Sequence, residues 1–114
     1  SKDTKDALNI PSDYFWSECS GISYTKSEIG SIWIYPKLMH NYRMLHYSGT
    51  TDGVVPTIGT EQWMDDLGWK IVEGRKSWLS EPKLLGGYSQ SREGKLDFIS
   101  IHGTGHMAPQ WKRE

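Results

Sequence analysis

Long apolar runs are missing from this chain. No stretch approaches the roughly 18 apolar residues that a membrane span needs, so no membrane partner is expected. Charge of one sign is also missing. Thirteen Lys and Arg stand against 14 Asp and Glu, a net charge of -1 with no basic stripe, and nucleic acid is therefore a poor partner. No positively charged and then apolar leader opens the chain; residues 1–6, Ser-Lys-Asp-Thr-Lys-Asp, are plain polar sequence. No Asn-x-Ser/Thr sequon occurs. There is a single cysteine, Cys19, which excludes a disulfide within the chain. It is either a buried thiol or, in a secreted protein, one half of a bond to another chain, and the compartment decides which.

Apolar residues make up only 36% of the sequence, and the mean hydropathy is -0.62. What apolar area exists is concentrated in rings: six Trp, six Tyr and two Phe. Large rings bury much surface from few positions, yet they leave little to spare for an independent core. Neither internal repeat nor low-complexity tract nor linker is visible, so residues 1–114 are read as a segment of one domain with no internal boundary.

Taken in order, residues 2–10 predict a short helix ending before Pro11, and residues 29–40 a helix with Pro36 late in it. Residues 43–47 predict a strand, and residues 57–67 a helix that Gly68 terminates. Residues 71–72 and 77–79 are weak strand candidates. Residues 84–89 and 96–101 are better ones, joined by a hairpin loop at 89–95. This order suits the edge of an α/β sheet rather than a complete fold.

Two turns carry the chemistry. Leu45 to Pro56 reads as a strand breaking into a polar turn that presents one carboxylate, Asp52, between Gly49 and Gly53. Asp97 to Pro109 repeats the design, with His106 at the tip of a Gly-rich turn and Pro109 opposing smooth continuation. Taken singly, each is an ordinary surface turn. Together, an Asp and then a His on successive strand-end loops form the carboxylate–imidazole half of a Ser-His-Asp relay, in the chain order of α/β-hydrolases.

Three other signals fail. Gly103-Thr-Gly-His-Met-Ala108 fits a loose dinucleotide pattern, but Pro109 stands where that motif needs a helix to begin. His102 and His106 have i,i+4 spacing, but the glycines between them oppose a helix and no third ligand accompanies them, so no metal is expected. Ser23-x-x-Lys26 and Ser80-x-x-Lys83 match a serine–lysine pattern by chance. No Gly-x-Ser-x-Gly occurs, so a catalytic serine and its oxyanion hole are expected outside this chain.

With these residues in hand, the sequence resembles the C-terminal part of a serine carboxypeptidase of the carboxypeptidase Y and plant carboxypeptidase II family. Tyr47-Ser-Gly-Thr-Thr-Asp-Gly-Val-Val-Pro56 resembles the family segment whose second Asp is the triad acid, which maps onto Asp52. Gly103-Thr-Gly-His-Met-Ala-Pro109 resembles the segment that carries the triad histidine, here His106. Gly59 to Trp63, Leu67-Gly-Trp69, Gly86-Gly-Tyr88 and Trp16-Ser-Glu-Cys19 also fit. One position departs: the family's first Asp in the acid turn is Thr50 here, which implies altered hydrogen bonding in that turn.

The resemblance implies the C-terminal portion of an α/β-hydrolase fold, about its last quarter, incomplete without an N-terminal segment. It implies release of C-terminal residues from peptides through an acyl-enzyme, with no cofactor. Met107 maps to the leaving-residue pocket, where a thioether favours apolar residues. Cys19 maps to a cysteine that, in two-chain relatives, pairs with the N-terminal segment, and a homodimer of two-chain units is compatible with this. A lysosomal, vacuolar or secreted location and a mildly acidic working pH are implied. Relatives also include plant acyltransferases and a hydroxynitrile lyase, and a non-catalytic binding or structural homologue is the third alternative.

Overall fold

The computed structural model describes residues 1–17, 21–28 and 30–113. Cys19, and with it the expected bond to another segment, lies outside the described residues, as does Ile29. Among the described residues, four helices and four strands follow the order α1 (Lys2–Ala7), α2 (Tyr35–Leu38), β1 (Met44–Gly49), α3 (Thr57–Asp66), β2 (Ile71–Glu81), β3 (Leu84–Arg92), β4 (Leu96–Ile101) and α4 (Ala108–Trp111). Short 3-10 turns sit at Ile32–Ile34 and Glu93–Lys95. The strands form one mixed sheet in the order β1-β4-β3-β2.

One pairing positions everything that follows. β1 and β4 run parallel and in register from Met44 opposite Leu96 to Gly49 opposite Ile101. Parallel neighbours end on the same edge of a sheet, so the turns that leave Gly49 and Ile101 emerge side by side. At the opposite end Arg43 donates through Nε to Asp97 Oδ2 at 2.9 Å, and Ser91 Oγ donates to Asp97 Oδ1 at 2.6 Å. The Ser91 hydroxyl first, and Arg43 after it, hold the Asp97 carboxyl below its ordinary pKa.

α3 covers one face of the sheet. Pro56 leads into it, and Gly68, at φ +68, lies just beyond its end. Thr60 and Met64, four residues apart, are its buried side. Met64, Leu96 and Phe98 form the core, with Tyr35, Met44, Trp63, Leu67 and Trp69 packed partly around it. Arg92, buried on β3, donates to the Met64 carbonyl at 3.2 Å and to the Asp65 carboxylate, placing a cation at the negative end of α3.

Several local readings change. The helix expected over residues 29–40 is not one helix across residues 30–40: a 3-10 turn and the four-residue α2 stand there, with Pro36 in the first turn of α2. Proline has no amide to donate and clashes with the carbonyl four residues back, so the helix begins at it instead of running through it. The two weak strand candidates prove to be one 11-residue strand, β2, whose pairing with β3 carries several register shifts. β3 extends to Arg92, so the hairpin turn is only Glu93–Lys95, with Gly94 at φ +72 and Lys95 at φ +59. Pro109 falls in the first turn of α4, where a missing amide is harmless, so a short helix does begin there.

The Gly86-Gly87 pair shows why β3 tolerates no side chain at mid-sheet. A Cβ on Gly87, whose φ is +152, would stand 1.8 Å from the Ser100 carbonyl oxygen; one on Gly86 would stand 2.2 Å from the Trp78 ring. The Trp78 indole lies across both glycines and donates to Ser100 O at 3.2 Å.

Candidate active site

The turn after β1 is built around its carboxylate. Asp52 Oδ1 accepts the backbone amides of Val54 at 2.7 Å and Val55 at 3.0 Å. Such a self-contained Asx turn is what a short acidic side chain does best. Thr57, the first residue of α3, donates through Oγ1 to the Gly49 carbonyl at 2.9 Å and lies 2.8 Å from Ser48 Oγ. The exit of β1 is thereby tied to the start of α3, with the Asp52 turn held between them.

The second turn is stapled to the first. Thr50 N donates to Ile101 O at 3.0 Å, Thr51 N to Thr104 O at 2.9 Å, and Gly103 N to Thr50 Oγ1 at 3.2 Å. The chains approach so closely that a Cβ on Gly49 would lie 2.4 Å from the carbonyl oxygens of both Thr104 and Gly105. Across this seam, His106 Nδ1 stands 2.9 Å from Asp52 Oδ2. The sequence placed these two residues on separate turns, and the structure brings them into hydrogen-bonding contact.

The chemistry of the pair follows from what each group can do. An ionised carboxylate only accepts hydrogen bonds, so Nδ1 carries the proton and Nε2 of a neutral ring is left as the basic nitrogen. The Asp52 side chain is only 7% exposed, whereas the His106 side chain is 51% exposed. The Val55 amide foremost, then the His106 ring and, more weakly, the Val54 amide hold the Asp52 carboxyl below its ordinary 3.8, against the opposing effect of partial burial. An imidazole so held can take a proton at Nε2 and return it, with a fixed negative charge behind the cation that forms.

The sign of the pH dependence follows. A carboxyl with a depressed pKa contributes stability above its unfolded value and loses that contribution as pH falls through its folded value. Unfolding free energies of the wild type and Asp52→Asn, compared in urea from about pH 5 downward, are expected to differ most at the upper end and to draw together as pH falls below 3.8. Convergence that sets in well above 3.8 would remove the Val54 and Val55 amides as the cause.

Asp52 and His106 share a cleft of about 310 Å³ whose apolar wall includes Tyr47, Val55 and Ala108. Ser48 is its one serine among the described residues, and that hydroxyl is already bonded to Thr57. Met107 is 48% exposed and not part of the lining. His102 lies elsewhere, beside Trp78 and Leu85, so the two histidines do not converge. The dinucleotide reading now fails for a better reason than Pro109: the Gly103 amide is occupied by Thr50, and the His106 side chain by Asp52.

Sequence reasoning missed His46. It lies 5.4 Å edge-on from the Trp63 ring and 6.3 Å from Phe98, lines the same cleft, and burial pushes its pKa below the ordinary 6.5. Its alternation with the exposed Leu45 and Tyr47 on β1 was the available signal.

Fold and site together define an α/β segment that holds an acid–imidazole pair on two adjoining strand-end turns. Comparison with known proteins narrows this class. The family model described as serine carboxypeptidase matches residues 1–114, and the chain belongs to that family. Among curated relatives, serine carboxypeptidase-like 20 of Arabidopsis thaliana is 34% identical over 99 residues, covering 85% of this chain and 20% of its own length. Serine carboxypeptidase 1 of Hordeum vulgare is 32% identical over the same coverage. Serine carboxypeptidase-like 13 of Arabidopsis thaliana is 30% identical over 118 residues, covering 99% of this chain and 27% of its own length. The chain thus spans about a fifth to a quarter of the length of these relatives.

Proposed function

We propose that this chain is the acid- and base-bearing segment of an α/β-hydrolase that releases C-terminal residues from peptides. The observation that carries the reading is the 2.9 Å contact between His106 Nδ1 and Asp52 Oδ2, with the ring half exposed beyond it. A serine hydroxyl from the rest of the enzyme attacks the scissile carbonyl, and His106 Nε2 takes its proton. The same proton passes to the leaving amine, the C–N bond breaks, and an acyl-enzyme remains. Water then gives a proton to His106 and its hydroxyl to the acyl carbon. The new acid departs, and the serine recovers its proton. Asp52 stays ionised throughout, orienting the ring and stabilising its cation.

The exposed flank of the sheet supports a larger assembly. Among the described residues β1 has a strand partner on one side only, and Leu45 and Tyr47 are 60% and 49% exposed on the face away from Met44, His46 and Ser48. Strands of α/β sheets are ordinarily covered on both faces, so further polypeptide of the same enzyme is the proposed neighbour. A link through Cys19, a homodimer of two-chain units, and Met107 as a contact for the leaving residue belong to the same proposal. So does a lysosomal, vacuolar or secreted setting, in which the depressed Asp52 carboxyl remains ionised at mildly acidic pH.

The test uses the complete enzyme. A fluorophosphonate is expected to label one serine, and a blocked dipeptide to lose its C-terminal residue. Labelling with acyl transfer to a hydroxyl acceptor and no peptide release would move the reading to an acyltransferase. No label on any chain would mean an inert homologue.

A further inference from the structure

The seam between the two turns has three hydrogen bonds apart from the Asp52–His106 contact itself. Two are backbone to backbone, from Thr50 N to Ile101 O and from Thr51 N to Thr104 O. The third is made by a side chain: Thr50 Oγ1 accepts the amide of Gly103 at 3.2 Å. Gly103, at φ +72, is where the histidine turn leaves β4, and Gly105 gives the same turn a second point of freedom. A turn with two glycines has many conformations, and few of them keep an imidazole nitrogen 2.9 Å from a fixed carboxylate.

Resting on the reading of Asp52 and His106 above, we propose that Thr50 is a positioning residue. Its hydroxyl holds the entrance of the histidine turn, and so sets the His106 ring against Asp52. Thr50 itself touches neither ring nor carboxylate in this arrangement; it acts through the Gly103 amide. Its neutral hydroxyl accepts that amide without bringing a second negative charge beside Asp52.

In the complete enzyme, Thr50→Val keeps the shape and removes the acceptor. It is expected to lower kcat about tenfold while KM stays within about twofold, because the bond it removes holds the loop and not the substrate. Thr50→Ser restores the acceptor and is expected to return kcat to within about twofold of wild type. The proton on His106 Nδ1, far downfield in the NMR spectrum while shared with a carboxylate, is expected to broaden in Thr50→Val and to sharpen again in Thr50→Ser. If Thr50→Val does not accumulate folded, Thr50→Ala is read in the same way.

His106→Ala run in parallel separates the two ideas. If it is inactive and Thr50→Val matches wild type in kcat and spectrum, the pair stands and the role of Thr50 is overturned. If Thr50→Val and Thr50→Ser are equally impaired, the hydroxyl is not the acting group, and the role is again overturned. If His106→Ala keeps its activity, both readings fall together.

Discussion

Replacing His106 with alanine in the complete enzyme is expected to lower kcat by on the order of 10⁴- to 10⁶-fold, the range seen when a triad base is removed. Stability is expected to change little. The ring is half exposed on a turn, and its loss opens no cavity in the Met64, Leu96 and Phe98 core. The informative result is therefore the contrast between a collapsed kcat and an unmoved urea midpoint. A loss below about tenfold would place proton transfer elsewhere, because removal of an essential base leaves only the residual contributions of binding and oxyanion stabilisation. A large loss accompanied by unfolding would point instead to a structural histidine.

Gly49→Ala is expected to have the next largest effect, through geometry alone. The new methyl carbon would lie 2.4 Å from the carbonyl oxygens of Thr104 and Gly105 and 2.8 Å from the Thr104 carbonyl carbon. These are backbone atoms, so no rotamer change relieves the overlap, and the histidine turn must retreat. A displacement near 1 Å is enough for about a 100-fold loss of kcat. Forcing extra volume into a packed contact costs about 1–3 kcal/mol of stability as well. Gly59→Ala is the control: its Cβ would meet nothing within 4 Å, and it lies inside α3. There alanine is expected to leave activity intact and to stabilise by up to about 1 kcal/mol. Equal activity of the two variants would mean that close approach of the turns is not what places His106.

Legibility in the sequence followed how local each cause was. Asp52 and His106 stood out because strand, glycine and single titratable group recur twice in the same order, and the flanking motifs resemble those of one family. α3 was legible from Pro56 before it and Gly68 after it, which act within a turn of their own position. β2 was not. Its residues are mostly exposed, Gly74 interrupts it, and its continuity comes from pairing with β3. Strand propensity measures fit to a neighbour, and the neighbour is remote in the chain. The helix expected over residues 29–40 weighed apolar spacing above Pro36, whose missing amide decided the outcome. Thr50 was visible as a departure from the family motif, but the partner of its hydroxyl was not, since Gly103 lies 53 residues away.

The sequence by itself determined the chemical inventory: one carboxylate and one imidazole on two glycine-containing turns, no serine in a nucleophile motif, and an apolar content of only 36%. Only the tertiary structure decided that the two groups meet. Parallel pairing of β1 with β4 in the register Gly49 opposite Ile101 brings both turns to one edge, and cross-turn bonds at about 3 Å bring acid and ring to 2.9 Å. Hydrogen bonding falls away within a fraction of an ångström, so a shift of one residue in that register would leave the same residues present and the pair unmade.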